Sequence, residues 1–163
     1  MRPLRVYIDT SVFGGYFDDA FEGASRGFLL AIWDGRATAL LSETLLRELE
    51  GAPEEVRDLL SETLRRESER LEVTAQTVEL RDAYLAANVV PRKYADDALH
   101  VALATIARAD VIVSWNFRHL VNPISIRAFN GVNLMQGYGP VVIMTPSDLI
   151  SILEGRNEEE KEI

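Results

Sequence analysis

The apolar positions of this chain fall into short runs that switch between two periods. Leu4-Arg5-Val6-Tyr7-Ile8 alternates and is β-branched, which predicts a strand ending at Asp9. Phe28, Leu29, Ile32 and Trp33 recur at helical spacing within residues 25–33, and Asp34-Gly35 closes that helix. Residues 37–41 predict a second strand. Ser42 suits the N-cap of a helix over 43–50, and Gly51-Ala52-Pro53 breaks the chain before a helix whose stripe is Val56, Leu59, Leu60 and Leu64. Residues 71–74 predict a short strand, and 77–87 a helix that ends ahead of Pro91.

Asp96 or Asp97 opens a further helix with Leu99, Ala102, Leu103 and Ile106 on one side, and the apolar strand Val111-Ile112-Val113-Ser114 follows. Beyond Asn122-Pro123, residues 124–135 have helical spacing interrupted by Gly131. Residues 141–144 predict a last strand and 146–153 a last helix with Pro146 at its start. Strands alternating with helices imply an α/β fold with a parallel sheet, and ligands outside the carboxyl ends of its strands.

The length of 163 residues sets the expectation of one domain, over residues 1–153, with one core and one site. Residues 154–163, with Glu154, Glu158, Glu159, Glu160 and Glu162, read as a solvated acidic tail and are expected to be disordered. The hydrophobic share of 47% and charged share of 26% are those of a globular chain. The absence of cysteine excludes disulfides, thiolate zinc sites and thiol nucleophiles. No run approaches the roughly 20 apolar residues of a membrane span, and the segment before Asp9 lacks a signal-peptide core, so a cytoplasmic protein is expected. The formal net charge of −9 argues against a broadly basic, DNA-coating surface.

The candidate chemistry lies in carboxylates at element ends. Asp9, followed by Thr10 and Ser11, fits either a helix cap or a site residue beyond a strand. Glu48 reads by itself as a solvent-facing helical residue, with Glu43 and Glu50 as rivals. Asp96 and Asp97 begin an apolar helix, where a cap needs only one acid. Ser114 and Asn116 place a hydroxyl and a carboxamide past another strand. His100 reads as a satisfied core residue, and His119 as structural or on a rim. Oxygen donors of this kind suit Mg²⁺ or Mn²⁺, which orient a water and neutralise charge in phosphate chemistry.

In order, Ile8-Asp9-Thr10-Ser11, Ser42 with Glu48-Leu49, Asp97-Ala98-Leu99-His100-Val101-Ala102 and Ser114-Trp115-Asn116 resemble the PIN-domain family, particularly its VapC-like toxin branch. The resemblance spans roughly residues 4–152. It implies a three-layer α/β/α sandwich around a mostly parallel sheet, and Mg²⁺- or Mn²⁺-dependent endonuclease activity on RNA. Frequent homodimers and, for toxins, an antitoxin partner are implied as well. It puts metal-ligating acids at Asp9, Glu48 and Asp97, with Asp96 as a supporting residue. The fourth family position, commonly an aspartate, falls on Asn116, with Ser114 as its hydroxyl partner. That departure leaves a catalytically weak or inactive binding module as the alternative. An aspartyl-phosphate enzyme using Asp9 ranks last, because Ser11 stands where a second Asp would be needed. The basic residues nearest these elements are Arg47, Arg92, Lys93, Arg118 and Arg127. The Trp115-Asn116-Phe117-Arg118-His119 run has no assigned role.

Overall fold

The computed structural model describes residues 2–162. The strands are β1 (Leu4–Ile8), β2 (Ala37–Ser42), β3 (Ser68–Leu71), β4 (Val111–Val113) and β5 (Ile143–Met144). They form one parallel sheet in the order β3-β2-β1-β4-β5. The chain moves outward from β1 to β3 and then returns to β1's other side with β4. The topological switch point therefore lies between the carboxyl ends of β1 and β4, where such sheets open a crevice.

Strand alternation sends side chains to two cores. Val6, Ile8, Ala39, Leu41, Val111 and Val113 point into one. Helices α1 (Thr10–Gly15), α2 (Glu22–Trp33), α3 (Glu43–Leu49), α4 (Glu54–Arg65) and α8 (Pro146–Glu162) cover it with Phe13, Phe28, Leu45, Leu59 and Leu149. Tyr7, Leu40 and Ile112 point into the other, beneath α5 (Ala75–Ala86), α6 (Ala95–Ile106) and α7 (Pro123–Met135). The three-layer sandwich follows from a sheet that is apolar on both faces.

Three local readings change. β3 lies at 68–71 and not 71–74. Its Ser-Glu-Arg-Leu sequence carries no apolar alternation, and it is fixed instead by parallel pairing to β2 and by the Arg5–Glu69 ion pair at 2.7 Å. Thr74 is the N-cap of α5, in a reciprocal capping box with Thr77. Residues 154–162 are not a disordered tail but continue α8. Leu149 and Leu153 anchor that helix in the core, and the Arg156 guanidinium donates to the Arg2 carbonyl at 2.8 Å. Ile163 lies outside the described residues. No helix among the described residues is long and apolar enough to cross a membrane.

Candidate active site

Asp9 ends β1 at the switch point and is only 4% exposed. It occupies the N-cap position of α1 without making a side-chain cap bond. Its carboxylate faces the sheet edge: Ser11 Oγ donates to Oδ2 at 2.6 Å, and Ser114 Oγ donates to the same oxygen at 2.7 Å. Each hydroxyl also accepts from a backbone amide of the loop after β4. Trp115 N donates to Ser11 Oγ and Asn116 N donates to Ser114 Oγ, both at 2.9 Å. Two amides thus polarise two hydroxyls onto one oxygen, which fixes the carboxylate and stitches β1 to β4.

Glu48 enters from α3. Ser42 caps that helix by accepting from Leu45 N at 3.1 Å, and the resulting phase buries Leu45 and Leu49. Glu48 therefore lies beside the apolar stripe and not opposite it, with a side chain 30% exposed. Its Oε1 is 2.6 Å from His100 Nε2.

Asp97 and His100 are three residues apart on α6, so they share one helix face. Asp97 Oδ2 is 2.8 Å from His119 Nδ1. His100 is 1% exposed and lies 3.7 Å from Asp9 Oδ1. Its Nδ1 is 2.5 Å from the Tyr7 hydroxyl, which is 2.8 Å from Ser42 Oγ. A carboxylate can only accept, so Nε2 carries a proton toward Glu48. With a neutral ring every remaining proton also finds an acceptor, from Leu45 N to Ser42, from Ser42 to Tyr7, and from Tyr7 to Nδ1. Burial pushes the Tyr7 hydroxyl well above the ordinary phenol range, so it keeps its proton. Burial also opposes a charge on His100. The hydrogen bond to Glu48 and the charges of Asp9, Glu48 and Asp97 outweigh it, and the histidine is raised above its usual value.

His100 is thus a satisfied buried residue that Asp9 and Glu48 both approach, with Asp97 three residues before it on the same helix. Among the described residues no Lys or Arg is ion-paired with any of the three acids. No group of three or more His, Asp or Glu among these residues is already spaced to hold a metal ion. Glu48 and Asp97 instead each engage a histidine through one oxygen, and Asp9 engages two hydroxyls through one. The other oxygen of each carboxylate makes no hydrogen bond among the described residues. Hard oxygen donors with histidines on their far side are the chemistry of a Mg²⁺ or Mn²⁺ site, and in that sense the donor set fits.

The remaining residues separate. Asn116 Oδ1 accepts from His119 N at 3.0 Å, which makes it the cap of the following turn. Asp96 turns outward and pairs with Arg47 at 3.2 Å. Thr10 Oγ1 is buried with no partner. Arg92, Lys93, Arg118 and Arg127 are exposed, and Arg118 reaches the Tyr94 hydroxyl at 3.3 Å. Sequence reasoning missed Tyr7 as a site residue. The available signal was a phenol between Val6 and Ile8 in a buried strand, whose hydroxyl had to find a partner.

A PIN-domain family model matches residues 5–118. Among solved structures, the fold is similar to the crystal structure of VapBC2 from Rickettsia felis bound to a DNA fragment from their promoter. The TM-score is 0.56 at 15% identity, over 87% of this chain and 98% of that one. No curated protein matches the chain significantly in sequence. With the family model matching well over half of its length, from the first strand through the loop beyond β4, the chain belongs to the PIN-domain family.

Proposed function

We propose that this chain is a divalent-metal-dependent endoribonuclease of the VapC type, hydrolysing RNA phosphodiester bonds as the toxin of a toxin–antitoxin pair. The observation that carries this reading is the placement of Asp9 and Glu48 against His100, with Asp97 three residues before it on α6, at the switch point, and among the described residues no Lys or Arg is ion-paired with the three acids. Three carboxylates at this edge of the sheet carry more charge than His100 and His119 together can balance, and a hard cation is a partner that suits them. The solved VapBC2 neighbour, a complex bound to promoter DNA, supports the antitoxin part of the proposal by analogy.

Asp9, Glu48 and Asp97 would hold Mg²⁺ or Mn²⁺. When bound, the ion supplies an oriented water for attack at phosphorus and neutralises charge on the phosphoryl oxygens. Ser11 and Ser114 keep Asp9 in one orientation. His100 and His119 hold Glu48 and Asp97 by one oxygen each, and the other oxygen makes no hydrogen bond among the described residues. Asn116, where the family commonly has an acid, contributes a turn cap and no charge, which implies a site with modest metal affinity. Purified protein is expected to cleave RNA when Mn²⁺ is supplied, and Asp9→Asn to lose that cleavage. Equal cleavage by the two proteins would overturn the assignment.

A further inference from the structure

At the amino edge of the sheet, remote from Asp9, a cavity of about 240 Å³ opens between three elements. Its wall is made by Arg2 ahead of β1, by Gly35 and Arg36 between α2 and β2, and by Arg156, Asn157 and Glu160 on the outer part of α8. Gly35, at φ 77°, turns the chain out of α2 and delivers Arg36 to this wall. β1 is five residues long, so roughly 16 Å of strand separates the cavity from the acid site.

Three arginines against one glutamate line this space in a chain of net charge −9. Arg2 is answered by Asp110, which accepts from Nη1 and Nη2 at 2.8 and 2.9 Å. Arg36 and Arg156 are not answered in this way. Four arginines among the described residues are half-buried, namely Arg5, Arg36, Arg81 and Arg156. Arg5 and Arg81 pair with Glu69 and Asp82. The two that make no ion pair with an acid among the described residues both line this cavity.

Neutral oxygens hold both guanidiniums in place. Arg36 donates from Nε and Nη2 to the Asn157 carboxamide oxygen at 3.3 and 2.9 Å, in the amide orientation that satisfies both groups. Arg156 Nη2 donates to the Arg2 carbonyl at 2.8 Å. These bonds fix the cations without neutralising them. Arg36 Nη1 and Arg156 Nε and Nη1 make no hydrogen bond among the described residues. A guanidinium withdrawn from water calls for an anion, and its planar fork matches phosphate oxygens two at a time.

We propose that this cavity binds a small phosphate anion, either a free diphosphate or the terminal phosphate of a longer molecule, with Arg36 and Arg156 on its oxygens. The volume lies below the roughly 300–1,000 Å³ that encloses a drug-sized ligand, so it suits the phosphate group and not a whole nucleotide. A bound anion joins the starts of β1 and β2 to α8, three segments far apart in the chain, and so stabilises the fold. The proposal is independent of the nuclease reading and of any metal.

The test is calorimetric titration of inorganic pyrophosphate into the full chain, with EDTA present and ionic strength held constant with chloride, and with thermal melts alongside. Saturable binding is expected, with a melting temperature raised by about 5 °C. Arg36→Gln and Arg156→Gln are each expected to weaken binding about tenfold or more, and Arg36→Lys, which keeps the charge and loses the fork, to weaken it less. Asp9→Asn, and Arg57→Gln at an exposed arginine elsewhere, are expected to bind as the parent does. Competition then separates the two sources. Displacement by a 5′-phosphorylated oligoribonucleotide and not by its 5′-hydroxyl twin assigns the group to a strand end, and displacement by neither assigns it to a free anion. No saturable binding at millimolar pyrophosphate would overturn the proposal whatever the variants do. Equal binding by the parent and both glutamine variants, loss of binding in Asp9→Asn, or equal displacement by the two strands would also overturn it.

Discussion

His100 Nε2 lies 2.6 Å from Glu48 Oε1, joining a buried helix to a half-open one across the carboxyl edge of the sheet. Behind the ring stand Tyr7 and Ser42, so the exposed carboxylate is held by a chain of bonds that runs through the core. Replacing the ring leaves the Tyr7 hydroxyl with Ser42 as its one remaining partner and frees Glu48. His100→Leu is therefore expected to cost about 2–4 kcal/mol in urea unfolding, and Tyr7→Phe about 1–3 kcal/mol. Unchanged stability in both would show that the chain of bonds contributes nothing to the fold.

Gly14 and Gly15 adjoin in α1 but face different surroundings. A Cβ on Gly15 would come within 2.7 Å of the Trp115 ring and 2.8 Å of Ser25 Oγ, whereas one on Gly14 would meet nothing within 4 Å. Gly15→Ala is expected to destabilise by about 1–3 kcal/mol through overpacking. Gly14→Ala is expected to stabilise by about 0.5–1 kcal/mol, because alanine loses less backbone freedom in a helix. Thermal melts of the two variants should move in opposite directions.

Asp110 accepts from the Arg2 guanidinium and from Arg5 N, both at 2.8 Å, and these contacts hold its carboxyl below the usual aspartate range. The folded state thus favours the charged form. The stabilisation is fully present above the ordinary aspartate value of about 3.9 and is lost as pH falls through the lower folded value. Asp110→Asn is expected to lose about 1 kcal/mol at neutral pH, a figure kept small because Arg2 is well exposed. The variant's acid unfolding should also be less steep; an identical acid limb would contradict the assignment.

Asn116 caps the turn through His119 N, a bond that aspartate can also accept. Asn116→Asp is therefore expected to leave the melting temperature nearly unchanged while adding a charge in the loop whose backbone amides bind Ser11 and Ser114. Mn²⁺ affinity measured by calorimetry should rise several-fold. A fall in affinity would mean that this position faces away from the ion.

The strand before Asp9, the helix over 95–106 and the parallel sense of the sheet were legible, from apolar positions that keep their period and from the alternation of strands with helices. β3 was not, since an edge strand reading Ser-Glu-Arg-Leu is held by pairing to β2 and by Arg5 from β1, two strands away. α1 was hidden by its paired glycines, one of which exists for Trp115. At the site, Asp9 and Asp97 stood out as acids at the ends of their own elements, but their roles, and the choice of Asp97 over Asp96, came from the resemblance. Glu48 did not stand out, because its direction is set by His100, fifty-two residues away in sequence. The same limit applied to Asp96, whose local position resembles that of Asp97 but whose partner is Arg47 on another helix.

The central claim is that Asp9, Glu48 and Asp97 together bind a divalent ion used in RNA cleavage. Calorimetric titration of Mn²⁺ into the purified chain tests it most directly, with Asp9→Asn and Asp97→Asn titrated alongside. The account predicts saturable binding in the parent chain and its loss in both variants. Absence of binding at millimolar Mn²⁺, or equal binding by all three proteins, would contradict it.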